Sequence, residues 1–343
     1  MKISPTFAST SSGPLLAVLS MLIAGCGGGG GGGASVSGSA ANNGANLPVT
    51  DSATSPIINA ALSSNYIDED LKAFNLLNAE RDRCGFGKLA QSAKLDVMAS
   101  GHANWIAQNN GWGHFQIAGT TAFTGVTVQD RATNAGYVPN ARISEGMGGF
   151  IVVADDSRGV RGLLNAPYHQ INMLRGYRDL GVGIRPPPNV PGTPSRYILL
   201  NYGTLPPDTD QAPIASTVRT YPCGGSTGVE RIMSGESPNP VPNRSLGIEP
   251  LGTSIAVVGD LGKQLTVTSA TMTGPGGVAV TLRAPSNSLT DPNQGYLRIN
   301  EAYVLADAPL SPNSTYQVFL TGTNGTSPFS RSFSFTTTIF TGP

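Results

Sequence analysis

Residues 68–114, DEDLKAFNLLNAERDRCGFGKLAQSAKLDVMASGHANWIAQNNGWGH, constrain the fold more than any other stretch of the chain. At about 100° per residue, Ile67, Leu71, Phe74, Asn78 and Arg81 fall in one stripe, which predicts a helix whose buried face carries two polar groups. A buried Asn or Arg without hydrogen bonds costs on the order of a few kcal/mol. Asn78 and Arg81 are therefore expected to be structural, tying backbone carbonyls or a carboxylate. After a turn at Cys84, Ser92 is a candidate N-cap for a second helix with Leu95, Ala99, His102 and Ile106 on one face. His102 lies in the middle of that stripe and is expected to be a structural core histidine. His114 follows the breaker Asn-Asn-Gly-Trp-Gly, which predicts a loop position, where a rigid scaffold can display a functional side chain.

Downstream, residues 129–137 read as a short helix stopped by Gly136. Arg142 opens a stretch through Glu145 that enters a buried strand or a helix start. Residues 160–165 read as helical and stop before Pro167, which places His169 on a loop. Residues 180–184 and 196–202 read as strands, the second apolar on both faces and so central in a covered sheet. Helices outside and strands within predict an α+β class with a three-layer α/β/α sandwich. Residues 234–250 contain Pro238, Pro240, Pro242 and Pro250 and read as a linker. Beyond it the period changes to two at 264–268, 278–282, 316–320 and 333–336, with turns at Pro275-Gly-Gly and Asn324-Gly, which predicts a β-sandwich. Leu310-Ser-Pro-Asn-Ser-Thr-Tyr316 and the final Phe-Ser-Phe-Thr-Thr resemble bacterial Ig-like modules. No ionisable cluster stands in this part, so it reads as a spacer or adhesion module.

Taken in order, Asn78-x-x-Arg81, Leu89, Leu95, His102-Ala103, His114, Arg131-x-x-x-x-Gly136-Tyr137 and Glu145-Gly146 form a pattern that continues through Asn165-Ala-Pro-Tyr-His169-Gln-x-Asn-Met-Leu174 to Gly181-Val-Gly183. Over residues 66–223 this resembles a bacterial CAP (SCP) domain, of the superfamily of cysteine-rich secretory proteins, plant pathogenesis-related proteins and venom allergens. The resemblance implies the same three-layer fold. It also matches His114, Glu145 and His169 to the family's cleft tetrad of two histidines and two acids. Two departures stand out: Ser144-Glu-Gly replaces the family's Gly-Glu-Asn, and Ser157, close to Asp155 and Asp156, stands where many relatives have a second Glu. Two imidazoles and a carboxylate suit a divalent cation, Zn or Ca, or acid/base work. Ser144 lacks a Gly-x-Ser-x-Gly context and is not read as a nucleophile. The implied function is a cleft that binds a lipid, a peptide or a cell-wall fragment; the alternative is a metal-dependent, peptidase-like extracytoplasmic hydrolase.

Charge narrows the partners. Lys+Arg total 21 against Asp+Glu 21, so the balance gives no electrostatic basis for nucleic-acid binding, and no basic cluster reverses that. At the start of the chain, Lys2 precedes an apolar run too short to span a bilayer, followed by Leu-Ile-Ala-Gly-Cys26. That motif resembles a lipobox, which implies export, acylation of Cys26 and attachment of the protein to the membrane of the cell envelope. Setting Cys26 aside leaves Cys84 and Cys223, read as one disulfide that straps the exit segment to the domain; the alternative is two free thiols. The expected organisation is a lipoprotein signal at 1–26, a Gly/Ser-rich tether at 27–60, a CAP domain at 61–225, a Pro-rich linker at 226–250 and an Ig-like β-sandwich at 251–343.

Overall fold

The chain's computed structural model describes residues 57–137, 141–151, 158–187, 195–212 and 215–339. Cys26, the signal segment, most of the tether, and Asp155, Asp156 and Ser157 lie outside the described residues.

The first half is built from α1 (Asp68–Arg83), β1 (Ala90–Gln91), α2 (Ala93–Asn109), α3 (Val128–Asn134), β2 (Arg142–Ile151), α4 (Arg158–Leu163), α5 (Pro167–Leu174), β3 (Asp179–Arg185) and β4 (Ser195–Thr204). The strands form one sheet in the order β1-β3-β4-β2, with β4 antiparallel to both neighbours and β1 parallel to β3. Alternation along β4 explains why both of its faces carry apolar side chains. Ile198, Leu200 and Tyr202 join the core that contains Phe74 and Leu77 of α1 and Ile171 of α5. Leu199 joins Ala99, Ala103 and Ile106 of α2. Helix α2 rides directly on β3, because Gly181 and Gly183 have no Cβ; one added at Gly181 would stand 2.1 Å from the Leu95 carbonyl carbon.

Local signals account for the helix ends. Thr127 and Asp130 form a capping box at α3, and Gly136, at φ +73°, follows its C-cap. Helix α4 ends at Leu163, ahead of Pro167, but Pro167 then occupies the first turn of α5. Proline lacks only an N–H that the first turn leaves unbonded anyway, so it starts a helix as readily as it stops one. His169 therefore sits on α5, and its expected loop position is corrected. The segment after Arg142 is the strand β2.

Cys84, the C-cap residue of α1, is bridged to Cys223 with a Cα–Cα distance of 5.6 Å across a sequence separation of 139.

The second half contains β5 (Arg219–Tyr221), β6 (Ser226–Val229), β7 (Ser254–Val258), β8 (Leu265–Thr273), β9 (Ser286–Asn287), β10 (Glu301–Leu305), β11 (Thr315–Asn324) and β12 (Ser327–Thr337). They form two sheets, β5-β7-β10-β9 and β6-β12-β11-β8, which share a core including Ile255, Val257, Val304, Val318, Leu320 and Phe335. Every residue of β7 and β10 is buried. The reason is that the other face of this sheet, with Ala256, Val258, Tyr303 and Leu305, belongs to the core of the first half. Polar ties run along the same junction: Ser254 exchanges hydrogen bonds with Gln170, and the Arg175 guanidinium meets Glu301 at 2.8 Å.

Two stretches differ from expectation. The Pro-rich stretch is held in place, with β6 paired to β12, Met233 and Leu251 exchanging backbone hydrogen bonds, and Leu246 buried. Residues 278–282 have the alternating pattern but make only isolated bridges, Ala279 to Thr273 at the end of β8 and Leu282 to Ala306 just past β10, and Val278 is exposed. Among the described residues no helix is long and apolar enough to cross a membrane.

Candidate functional site

The end of α2 delivers His114. Asn110 closes the helix in the left-handed conformation at φ 50°, Gly111 packs so tightly on Trp105 that a Cβ would lie 2.5 Å from the ring, and Gly113 turns at φ +97°. His102 holds this loop from beneath. Its Nε2 donates to the Gly113 carbonyl at 3.0 Å and its Nδ1 accepts from Gln116 Nε2 at 2.9 Å, so both nitrogens are used by the neutral ring. Burial pushes the His102 pKa down to about 4, against the pull of Glu145, whose Oε1 lies 3.8 Å away. His102 is thus a fully buried support that stands behind the site, close to Glu145 but facing other partners.

Glu145, on β2, is also behind the surface, with its side chain 1% exposed. Its two oxygens are fully occupied. Arg131 donates to both at 2.9 Å, His114 Nδ1 donates to Oε1 at 2.8 Å, and Asn201 donates to Oε2 at 3.1 Å. Burial alone would raise this carboxyl's pKa, but Arg131, the His114 hydrogen bond and the nearby imidazoles overcome it and hold Glu145 well below the usual carboxylate range. Arg131 also donates to the His114 carbonyl at 3.0 Å, so one guanidinium fixes both the carboxylate and the loop.

His169 has an equivalent arrangement. Its Nδ1 donates to Glu236 Oε1 at 2.8 Å, and the same carboxylate accepts from the Tyr168 N–H at 3.1 Å. Desolvation lowers the His169 pKa, yet the Glu236 charge and hydrogen bond, with the Met147 backbone, leave it raised. His114 and His169 line one cleft of about 570 Å³, whose apolar wall includes Trp112, Met147, Leu163, Met233 and Tyr296. Side-chain exposure is 21% for His114 and 19% for His169, so each ring is mostly buried while still reaching the cleft.

The structure therefore brings His114, Glu145 and His169 to one place, with the histidines at the surface and the carboxylate underneath. Asn78 bonds the Leu89 backbone in both directions, and Arg81 donates to the carbonyls of Phe86, Gly87, Met173 and Arg175; neither residue lines the cleft. Two contributors were not singled out from sequence. Arg131 is recognisable only as part of the Arg131-x-x-x-x-Gly136 pattern, and Glu236 lies in the stretch read as linker.

The described residues offer no complete ligand set for a divalent cation of the Zn or Ca type. Glu145 has no oxygen left to offer, Glu236 is committed to His169 and to the start of α5, and among the described residues no three His, Cys, Asp or Glu side chains converge as a cation requires. What the arrangement can do is hold two rings rigidly, each by its Nδ1, against a half-apolar cleft.

The molecule is a mixed α+β protein with a two-histidine cleft. No family model matches the chain, and no curated protein matches it in sequence. Several solved structures are similar over part of it, two of them as follows. One is an extracellular protein containing an SCP domain from Bacillus anthracis, at 22% identity over 40% of each chain with a TM-score of 0.31; the match therefore spans well under half of that protein's length. The other is an outer surface protein from Borrelia burgdorferi, at 19% identity over 40% of this chain and 96% of that one, with a TM-score of 0.33. Likeness at this level does not place the chain in a family.

Proposed function

We propose that this protein is an exported, lipid-anchored CAP-type module, a three-layer sandwich followed by an Ig-like β-sandwich, that binds a small organic ligand without transforming it. The ligand class is a lipid, a peptide or a cell-wall fragment. One observation carries the binding reading: two imidazoles, each clamped through Nδ1 to a buried carboxylate at 2.8 Å, share a cleft of about 570 Å³ with an apolar wall. A cleft of this size lies within the range that encloses small ligands. The two nucleophile candidates weighed from sequence are otherwise engaged: Ser144 is buried and donates to Asn172 at 2.9 Å, and Cys84 is in the disulfide. The CAP assignment is supported by the ordered motifs from Asn78 to Gly183, and the anchoring by Leu-Ile-Ala-Gly-Cys26.

Native mass spectrometry tests the reading. The full chain, incubated in turn with a lysophospholipid, N-acetylmuramyl dipeptide and a mixture of short peptides, is expected to retain one of these as an intact adduct. The His114→Ala/His169→Ala double variant is expected to lose it. Cleavage of the peptides that requires added Zn²⁺ and disappears in the double variant would overturn binding in favour of a hydrolase.

A further inference from the structure

We propose that Glu236 is the positioning residue for His169, so that the segment after the disulfide is a working part of the cleft and not a link between two independent domains. This deepens the binding reading of the same site and rests on it. The pairing is specific. The Glu236 side chain is 0% exposed. Its Oε1 accepts from His169 Nδ1 at 2.8 Å and from the Ser237 N–H at 2.9 Å, and its Oε2 accepts from the Tyr168 N–H in the first turn of α5. A carboxylate at that helix end is favoured by the helix dipole as well as by the ring.

The segment that carries Glu236 also shapes the cavity. Ile232, Met233, Ser234 and Gly235 line the cleft beside it, and the Met233–Leu251 backbone pair pins the strip to the second half. The opposite flank of α5 is tied to the same half. Tyr168 donates to Asp291 at 3.0 Å, Gln170 and Ser254 exchange hydrogen bonds, and the Ser254 N–H donates to Asn165 Oδ1 at 2.8 Å. The helix bearing His169 is thus held from both sides by residues beyond Cys223.

The parallel with His114 gives the pairing its function. Each ring donates Nδ1–H to a buried carboxylate, which fixes the ring plane and the tautomer. For His114 the carboxylate comes from β2 of the first half; for His169 it comes from 67 residues downstream. Among the described residues, the second carboxylate that holds a cleft histidine is Glu236, from a different part of the chain than Glu145. Glu236 is the charged group that acts on His169; Arg158, His114 and Tyr296 line the same cleft, and the Met147 backbone meets the ring.

Long-range ¹H–¹⁵N NMR of the imidazoles tests this on the full chain. The protein has 3 histidines, so three ring systems are assigned with three His→Gln variants. In wild type, neutral His169 is expected as the Nδ1–H tautomer. Its titration midpoint is expected to fall in Glu236→Gln and to be restored in part by Glu236→Asp, while the other two rings keep theirs. A purely structural role would lower thermal stability without moving one ring selectively. A folded Glu236→Gln protein with an unmoved His169 midpoint overturns the proposal. If Glu236→Gln fails to fold, the wild-type spectrum decides alone: an Nε2–H tautomer at His169 overturns the pairing, and the Nδ1–H tautomer upholds it. Neither readout uses a ligand, so a wild-type protein that retains none of the three probes would refute the binding reading and leave this result standing.

Discussion

Replacing Arg131 by Met removes the guanidinium while leaving an apolar chain of similar length in its place. Arg131 and Glu145 are both shut away from solvent, with side chains 0% and 1% exposed, and one guanidinium nitrogen, Nη2, donates to both carboxylate oxygens. Breaking a buried pair by deleting one partner costs about 3–5 kcal/mol, because the other charge is left in low dielectric. His114 and Asn201 still donate to Glu145, which argues for the lower end of that range. The pH dependence follows from the depressed carboxyl. In the unfolded chain Glu145 titrates at about 4.3, and in the fold well below it. Its contribution is therefore fully present above that unfolded value and is lost as pH falls through the folded one. The gap between wild type and Arg131→Met is expected to be widest near neutral pH and to narrow on acidification. Guanidinium denaturation followed by tryptophan fluorescence at pH 7.5 and near pH 4 measures it. The Arg131→Met/Glu145→Gln double variant is expected to recover part of the loss, since no charge remains stranded. A loss under about 1 kcal/mol at pH 7.5, or one that stays constant with pH, would refute the account of the pair.

Three other outcomes are expected. Cys84→Ser with Cys223→Ser opens the loop spanning the 139-residue separation and should cost up to about 5 kcal/mol in the chain-entropy model, read as a drop in melting temperature that dithiothreitol reproduces in wild type. Gly181→Ala forces a Cβ against the Leu95 backbone and should cost at least about 1–3 kcal/mol, and more if α2 must lift off β3; a melting curve that matches wild type would show the contact to be relaxed. Because the fold keeps His102 neutral to about pH 4 while the unfolded chain protonates near 6.5, stability should decline as pH falls through that window, and His102→Gln should flatten the decline in denaturation series between pH 7 and 4.5.

Much of the local structure was legible without coordinates because its causes are local. Helix α1 follows from the spacing of Phe74, Asn78 and Arg81, although Ile67 at the head of that stripe is exposed; helix α2 follows from Leu95, Ala99 and Ile106, the end of α3 from Gly136, and the central strand β4 from the run Ile198 to Leu200, whose alternation feeds two cores. The Cys84–Cys223 pairing was legible by count once Cys26 was set aside. Where two local rules compete, sequence could not choose: Pro167 ends one helical run and opens the next, and only packing shows that His169 belongs to α5. The site itself depends on contacts that no periodicity encodes. Glu145 reaches Arg131 across 14 residues and Asn201 across 56, and His169 reaches Glu236 across 67. Likewise the complete burial of β7 and β10 is decided by the first half covering their outer face, and 278–282 makes only isolated bridges because it passes from the end of β8 to the end of β10 instead of running along either. Sequence determined which segments can bury a face; tertiary structure alone decided which buried charges meet, because a charge is tolerated inside only where a distant partner is brought to it.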